Sequence, residues 1–353
     1  MKTLVTNIEQ QARQAGRDLR FMEVCGTHTM AAFRSGLMQL LPDSVRLVSG
    51  PGCPVCVTDP SYLDAAIELA RRPGVMVATF GDLVRVPGTD SSLERERAGG
   101  ASVRIVYSAS DALVLARECP SKHIVFLGIG FETTAPTVAW AIWRAARDGV
   151  RNFSVLSAHK TMPAAMDQLA RDPGMRIDGF ICPGHVSVIT GAQIYRSLCE
   201  RYAIPCVVSG FEAWDILKSI GMLLGQIVQG RAEVENEYSR SVSEYGNRTA
   251  LELMNEVFEP RDDEWRGLGR IPGSGLGIRE KYARFDAVKA LEVKFVEAHI
   301  NPLCRCGSVL RGISTPLDCH LFGHPCSPSH PVGPCMVSSE GACAAYYKYE
   351  RVA

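Results

Sequence analysis

Six cysteines lie close together near the C-terminal end of this 353-residue chain. They are Cys304, Cys306, Cys319, Cys326, Cys335 and Cys343. Four thiolates can ligate either Zn²⁺ or an iron–sulfur cluster, and two cysteines would then remain for a redox pair. The spacing lacks the paired C-x₂-C knuckles of structural zinc sites, which favours an iron–sulfur cluster. Spacing alone does not choose the four ligands. The histidines of the same stretch are further candidates for zinc, or hydrogen-bonding surface groups: His320, His324 and His330.

A second cysteine motif, SGPGCPVCVT, contains Cys53 and Cys56 directly after an apolar, strand-like run. The C-x-x-C spacing permits a disulfide, lowers the pKa of a thiol and also suits metal chelation. The glycines and prolines around it form a tight turn that other backbone can approach closely. The motif predicts a redox or chelating function, with a purely structural turn as the alternative.

A single cysteine, Cys25, stands in FMEVCGTHTM, where a predicted strand passes into a predicted helix. The unpaired amides at a helix N-terminus stabilise a thiolate, so we expect Cys25 to be a good nucleophile or metal ligand. A buried core cysteine is the alternative. A protease-like pair with His28 is disfavoured, because the histidine of such pairs is distant in sequence.

Polar side chains follow several other predicted strands: Asp82, Glu132, Thr133, His159 and His185. Ligands of open α/β sheets bind beyond the carboxyl ends of the strands, so we expect these side chains to line a cleft. Neither a dinucleotide fingerprint nor a P-loop occurs, and nucleotide binding is not supported. The remaining cysteines lie in apolar or helical runs and are predicted to be core residues: Cys119, Cys182, Cys199 and Cys206.

Short apolar runs alternate with helical stretches through the first 230 residues. This pattern predicts an α/β fold with parallel sheets covered on both faces. A weak internal repeat suggests two similar α/β domains, at 20–120 and 121–230. From about residue 231 the chain becomes charged and then Gly/Pro-rich, which predicts a third, mainly helical or irregular domain at 231–353, joined by an N-terminal helix at 1–19.

The composition narrows the function classes. The 38 basic and 38 acidic residues cancel, so no overall field favours nucleic acid or an anionic membrane. The N-terminus lacks the apolar core of a secretory signal, and no apolar run approaches the length of a membrane span, which predicts a cytoplasmic protein. Thirteen cysteines are many for a reducing compartment, and an odd number cannot all pair within one chain, which indicates metal binding or redox chemistry.

Seven motifs in order resemble the HypD family of [NiFe]-hydrogenase maturation factors: EVCGTHT, SGPGCPVCVT, TFGDLVRVPG, GFETTAP, HKTMP, CPGHVS and CMVSSEGACAAYYKY. The resemblance covers about residues 20 to 350. It implies two similar α/β domains and a third that holds a [4Fe-4S] cluster through C-x₁₄-C-x₆-C-x₁₆-C. That pattern falls on Cys304, Cys319, Cys326 and Cys343 and leaves Cys306 and Cys335 as a redox pair. The family's cluster environment is similar to that of ferredoxin:thioredoxin reductase.

The resemblance also implies a function, that of a scaffold rather than a conventional turnover enzyme. Such a scaffold assembles the Fe(CN)₂CO group together with the chaperone HypC, takes cyanide from a thiocyanate on HypE, which works with HypF, and serves the hydrogenase large subunit. Cys25 would bind Fe²⁺ with a cysteine of HypC, while His28 orients it or transfers a proton. The alternative is a zinc-stabilised thiol-disulfide oxidoreductase that acts through Cys53 and Cys56.

Overall fold

The computed structural model describes residues 1–172 and 174–350, so the last three residues of the predicted third domain lie outside the described part. Within it the chain forms two parallel sheets and one antiparallel hairpin. The strands are β1 Leu19–Glu23, β2 Val45–Ser49, β3 Val75–Thr79, β4 Val103–Ile105, β5 His123–Gly130, β6 Phe153–His159, β7 Gly179–Pro183, β8 Cys206–Ser209, β9 Val234–Asn236, β10 Phe258–Trp265 and β11 Gly269–Ile278. The predicted α/β class with parallel sheets is confirmed.

Helices connect the strands and cover both sheets. The α-helices are α1 Lys2–Ala15, α2 Gly26–Arg34, α3 Pro54–Val57, α4 Pro60–Arg71, α5 Gly81–Val84, α6 Leu93–Ala98, α7 Ala109–Glu118, α8 Ala135–Arg147, α9 Met162–Arg171, α10 Gly184–Thr190, α11 Arg196–Tyr202, α12 Ala213–Val228, α13 Arg248–Val257, α14 Ala287–Ala290, α15 Cys306–Leu310, α16 Pro334–Val337 and α17 Ala342–Tyr349. Short 3₁₀ helices occupy Leu37–Leu40, Ala192–Tyr195, Glu280–Phe285 and Pro316–Asp318.

The first sheet, sheet I, has the strand order β2-β1-β7-β8-β9, and the second, sheet II, has the order β4-β3-β5-β6. All neighbouring strands in both sheets are parallel. The central strands are buried over almost their whole length, as continuous apolar runs require when helices cover both faces.

The division of strands between the sheets corrects the predicted domain boundaries. The range 20–120 contains β1 and β2 of sheet I but also β3 and β4 of sheet II, and the range 121–230 is divided in the same way. The chain leaves sheet I after β2, builds all of sheet II, and returns with β7, which pairs with β1. A uniformly apolar strand carries no signal for the identity of its neighbour, so sequence order suggested two contiguous units.

The N-terminal helix is also placed differently from the prediction. Helix α1 packs on α12 of sheet I rather than on the cysteine-rich end of the chain. Its buried face contains Ile8 and Ala12, and Ile8 lies 3.9 Å from the position that a Cβ on Gly221 would occupy. A Cβ at that position would make an ordinary van der Waals contact, so the packing of the two helices does not depend on the glycine.

The segment directly after residue 230 belongs to the sheets as well. Strand β9 completes sheet I, and the β10–β11 hairpin packs against sheet II. The buried Lys160 Nζ donates to the Glu264 carbonyl at 2.6 Å, and the Thr161 amide donates to the Ser274 carbonyl at 2.8 Å. The irregular, cysteine-bearing unit therefore begins only after α14 and not at residue 231. We call its residues 291–350 the tail.

Among the described residues, no helix combines the length and apolar character needed to cross a membrane.

Candidate functional site

The carboxyl ends of strands from both sheets meet at one cleft of about 330 Å³. Sheet I contributes residues at the ends of β1, β2 and β7, and sheet II contributes residues at the ends of β3 and β5 together with Met162 after β6. The tail supplies the remaining wall through residues 338–340, which we call the strap. The predicted position of a site beyond the strand ends matches this cleft.

Cys25 lies in this cleft, at the N-cap of α2. The Thr27 and His28 amides hydrogen-bond to its sulfur, as expected at a helix N-terminus. These bonds lower the pKa of the thiol, but they are not the largest influence on it. Burial, followed by the nearby Glu340 carboxylate, raises the pKa of the Cys25 thiol to about 12. The prediction that the helix N-terminus lowers the pKa of Cys25 is therefore wrong, because burial and Glu340 together outweigh the two amides.

Glycine is required where the loop after β2 crosses the Cys25 corner. A Cβ on Gly52 would lie 2.2 Å from the Cys25 nitrogen and 2.3 Å from its Cα. The Gly26 amide donates to the Gly52 carbonyl at 3.2 Å. The tight Gly/Pro turn of the C-x-x-C motif thus packs directly against the backbone of Cys25.

Glu340 is a cleft residue that the sequence reasoning missed. Its Oε1 accepts a hydrogen bond from Thr27 Oγ1 at 2.8 Å, and burial raises the pKa of its own carboxyl. A Cβ on Gly26 would lie 2.3 Å from the Glu340 carbonyl oxygen, so the strap passes directly over the start of α2. The only signal in the sequence was the acidic residue between Cys335 and Cys343.

The strap is also bound to sheet II. Asp82, at the start of α5, accepts hydrogen bonds at Oδ2 from the Ser339 amide at 3.1 Å and from Ser339 Oγ at 2.9 Å. Asp82 lines the cleft as predicted, and it also anchors the segment that carries Glu340. The strap thereby connects the corners of both sheets.

Two histidines form an aromatic stack with Phe211 beside the cleft. His185 lines the cleft and stacks on Phe211 with ring centroids 3.8 Å apart, while His28 stacks on Phe211 at 4.7 Å. His28 Nε2 donates to the Gly210 carbonyl at 2.9 Å, and burial lowers the pKa of His28 to about 4. His28 is thus a neutral, buried group that joins α2 to the loop after β8, and it does not line the cleft.

The other predicted cleft residues divide into two groups. Thr133 lines the cleft. Glu132 lies behind the wall, where it accepts the Met162 amide at 3.1 Å and where burial raises its pKa to about 7. His159 is fully buried beside Ser157, and burial lowers its pKa to about 3. The structure therefore places Glu132 and His159 in the core next to the cleft rather than in the cleft.

Cys53 and Cys56 are joined by a disulfide. Cys53 is 3% exposed and Cys56 is fully buried. Helix α3, which contains Cys56, packs on one side against α15 and α16 of the tail, while Pro54 and Val55 line the cleft on the other. The disulfide consequently lies between the cleft and the cysteine-rich tail.

The six tail cysteines form one group of free thiols. A cavity is lined by five of them: Cys304, Cys306, Cys319, Cys326 and Cys343. The sixth, Cys335, is fully buried and hydrogen-bonds to the thiols of Cys306 and Cys343. A hydrogen bond from Cys306 lowers the pKa of Cys304 to about 6, which favours the thiolate that ligation needs.

The donors around this cavity include the four cysteines that the family pattern implies as ligands of an iron–sulfur cluster. In residues 1–172 and 174–350, no three or more His, Cys, Asp or Glu side chains converge as one metal ion would require. A [4Fe-4S] cube instead needs four thiolates on separate corners around a space, and all four cysteines implied by the family pattern line the cavity. None of the three tail histidines lines it.

The cysteines that we predicted to lie in the core behave as expected in three cases. Cys182 of β7, Cys199 of α11 and Cys206 of β8 are buried, and the Cys206 thiol is hydrogen-bonded to the other two. Cys119 is half-buried at the end of α7.

Fold and site together define a cysteine-rich α/β protein. One thiol, that of Cys25, lies in a cleft between two sheets, next to a buried disulfide and a tail with six cysteines. The chain belongs to the HypD family of hydrogenase maturation factors, since the family model described as HypD, hydrogenase formation hypA family, matches residues 1–350. The hydrogenase maturation factor HypD of Azotobacter vinelandii is 49% identical over 342 residues, which cover 95% of this chain and 90% of that protein.

Two further relatives are similar over almost the whole chain. The hydrogenase maturation factor HypD of Cupriavidus necator is 46% identical over 99% of this chain and 94% of that protein. A putative hydrogenase expression/formation protein of Methanocaldococcus jannaschii is 44% identical over 100% of this chain and 98% of that protein. The similarity therefore extends over both sheets and the tail.

Proposed function

We propose that the cleft is the place where the Fe(CN)₂CO group of [NiFe] hydrogenase is assembled, with HypC as a stable partner. The observation that carries the proposal is the order of the thiols. Cys25 lies in the cleft, the Cys53–Cys56 disulfide lies behind it, and the tail cysteines lie behind the disulfide. A binding site and a supply of electrons are thus joined within one chain.

Iron is the substrate of this scaffold, and Cys25 is its ligand from this chain, together with a cysteine of HypC. Soft thiolates suit an Fe²⁺ that will carry cyanide and carbonyl. Because the pKa of Cys25 is raised to about 12, iron binding must displace the thiol proton. Glu340 is the nearby base that can accept it, and its hydrogen bond from Thr27 holds it in place.

Cys304, Cys319, Cys326 and Cys343 would hold a [4Fe-4S] cluster in the tail cavity. Such a cluster supplies electrons one at a time. Cys306 and Cys335 are in hydrogen-bond contact with each other and with the ligand Cys343, so they form the next step toward the cleft.

The Cys53–Cys56 pair collects two of these single electrons, and the release of one cyanide consumes both. The step is R–S–C≡N + 2e⁻ + H⁺ → R–SH + CN⁻, where R–S is the thiocyanate-bearing cysteine of HypE, which works with HypF. As a dithiol, Cys53 and Cys56 give up two electrons and return to a disulfide. His185 and Glu340 are the cleft groups positioned to supply the proton to the departing thiolate.

The finished group would leave with HypC for the hydrogenase large subunit in the cytoplasm. Release of cyanide within a cleft, next to the iron, keeps the ligand from being lost to solvent. The neighbouring strap and the two sheets enclose that space.

The rival function is a zinc-stabilised thiol-disulfide oxidoreductase that acts on other proteins. It would use the disulfide that the chain contains, between Cys53 and Cys56. Anaerobic purification followed by iron, sulfide and zinc analysis separates the two. Four irons and four sulfides per chain support the scaffold, whereas about one zinc without sulfide supports the rival.

A further inference from the structure

Most polar side chains that line the cleft are hydrogen-bonded within the chain. These bonded side chains are Asp82, Thr134, Ser338, Ser339 and Glu340. Two further polar groups have a place in the proposed function, Cys25 as the iron ligand and His185 as a source of the proton. Thr133 is the polar side chain of the cleft lining that then remains.

Thr133 is exposed and lies just before the N-cap of α8, which is Thr134. Within the part of the chain that the structure describes, no hydrogen bond joins its hydroxyl to another group of the protein. The neighbouring Glu132 is turned into the core, where it accepts the Met162 amide. The Thr133 hydroxyl therefore has no role in holding the fold together and is free to bind a ligand in the cleft.

The thiol and this hydroxyl belong to different walls of the cleft. Cys25 follows β1 of sheet I, whereas Thr133 follows β5 of sheet II. Both border the same space of about 330 Å³, so a ligand carried by an iron at Cys25 enters the space that Thr133 lines. Much of the remaining lining from sheet II is apolar: Leu83, Ile129, Phe131 and Met162.

Cyanide and carbonyl differ in what they require from such walls. Cyanide bound to a metal keeps negative charge and a lone pair on its nitrogen, whereas the oxygen of a bound carbonyl is a poor hydrogen-bond acceptor. Hydrogen bonds to a charged acceptor are stronger than those between neutral groups. An apolar wall therefore suits the carbonyl, while cyanide needs a donor, and a threonine hydroxyl can donate one hydrogen bond.

We propose that the Thr133 hydroxyl donates a hydrogen bond to the nitrogen of one cyanide ligand and so selects cyanide over carbonyl at that position of the iron. This inference rests on the proposed function, because it requires the iron group at Cys25. A polar group left unpaired by the wrong ligand discriminates strongly against that ligand. Thr133 is thus a specificity-determining residue that also fixes the orientation of the group in the cleft.

Infrared spectroscopy of the complex with HypC, purified without oxygen, tests this bond in Thr133→Val, where a methyl group replaces the hydroxyl. A hydrogen bond to cyanide withdraws electron density from the iron, and the iron then returns less density to the carbonyl. Loss of the bond should therefore shift the carbonyl band and one cyanide band to lower wavenumber. Thr133→Ser keeps the hydroxyl and should retain the wild-type band positions.

Thr137→Val is the matched control on α8. Thr137 is exposed, does not line the cleft, and its hydroxyl donates to the Thr134 carbonyl at 2.8 Å. Its loss should leave every band at the wild-type position. Iron and sulfide content, measured for each variant, shows that the tail is intact.

Loss of all bands from Thr133→Val, with wild-type bands in Thr133→Ser, would also support the proposal, because the group would then not be retained without the hydroxyl. The proposal is overturned if Thr133→Val keeps the wild-type bands, or if Thr133→Ser or Thr137→Val changes them equally. Those results leave the scaffold function standing. Absence of the bands from the wild-type complex would instead contradict the proposed function, and this inference with it.

Discussion

At the scale of single residues, the pKa of the Cys25 thiol depends first on burial and then on Glu340, a residue more than three hundred positions away in the chain. The amides of the helix N-terminus lower the pKa of the thiol. Burial and Glu340 raise this pKa by more than the amides lower it. The sequence could predict the helix contribution because it is local. It could not predict the Glu340 contribution, since that depends on the strap being folded over α2.

Replacement of Glu340 by glutamine tests this interaction directly. Loss of the negative charge should lower the pKa of Cys25 and increase its alkylation by iodoacetamide at pH 8.5 by up to roughly tenfold, one pK unit being a tenfold change in thiolate. Mass spectrometry of the Cys25 peptide gives the rate. Glu350→Gln, the same change at the end of α17, is the matched control, and an equal effect there would refute the assignment.

Glu132 gives the stability of the protein a pH dependence. Its pKa is raised from 4.5 to about 7, so the folded chain holds this proton more tightly than the unfolded chain. Stability from this group is therefore present below about pH 4.5 and is lost as the pH rises to about 7, by at most about 3 kcal/mol. Glu132→Gln should keep the bond from the Met162 amide and reduce the fall in Tm between pH 5.5 and 8.

The control for that measurement is Glu118→Gln, an exposed residue at the end of α7. It should show the same pH dependence as the wild-type chain. If Glu132→Gln also keeps the wild-type dependence, the buried carboxyl is not responsible for it.

At the scale of elements, the loop after β2 and the corner after β1 are held at backbone contact. This is why the C-x-x-C motif is embedded in glycine and proline, a feature that the sequence showed without revealing what approached it. The partner, the backbone of Cys25, became identifiable only when β1 and β2 were paired side by side.

Gly52→Ala tests that contact. The added Cβ would overlap the Cys25 backbone, so we expect destabilisation of roughly 1–3 kcal/mol, the usual cost of overpacking, and a lower Tm. Gly81→Ala is the control, because a Cβ there would lie 3.8 Å from its nearest neighbour in the same cleft. Equal Tm values for the two variants would show that the loop can move away without cost.

At the scale of the whole molecule, the sequence predicted parallel sheets covered by helices, but not the order in which the chain passes between the two sheets. Alternating apolar runs and helices were enough to predict parallel sheets with a cleft at the strand ends. They were not enough to show that sheet II is inserted between β2 and β7 of sheet I, because each buried strand could pair with several others. The packing of α1 on α12 could not be predicted for a similar reason, because the apolar face of an amphipathic helix does not specify which element it packs against.

That topology also determines what the cleft can do. The strap fastens the tail to Asp82 of sheet II and, through Glu340, to Thr27 of sheet I. Cys25 is therefore enclosed by three parts of the chain that are distant in sequence. A complete cleft requires all of them.

The central claim is that iron with its cyanide and carbonyl ligands is held at Cys25. Infrared spectroscopy of the complex with HypC, purified without oxygen, measures the stretching bands of these ligands. We expect the bands in the wild-type complex and in Cys119→Ala, and their loss in Cys25→Ala with the iron and sulfide of the tail retained. Undiminished bands in Cys25→Ala would contradict the account.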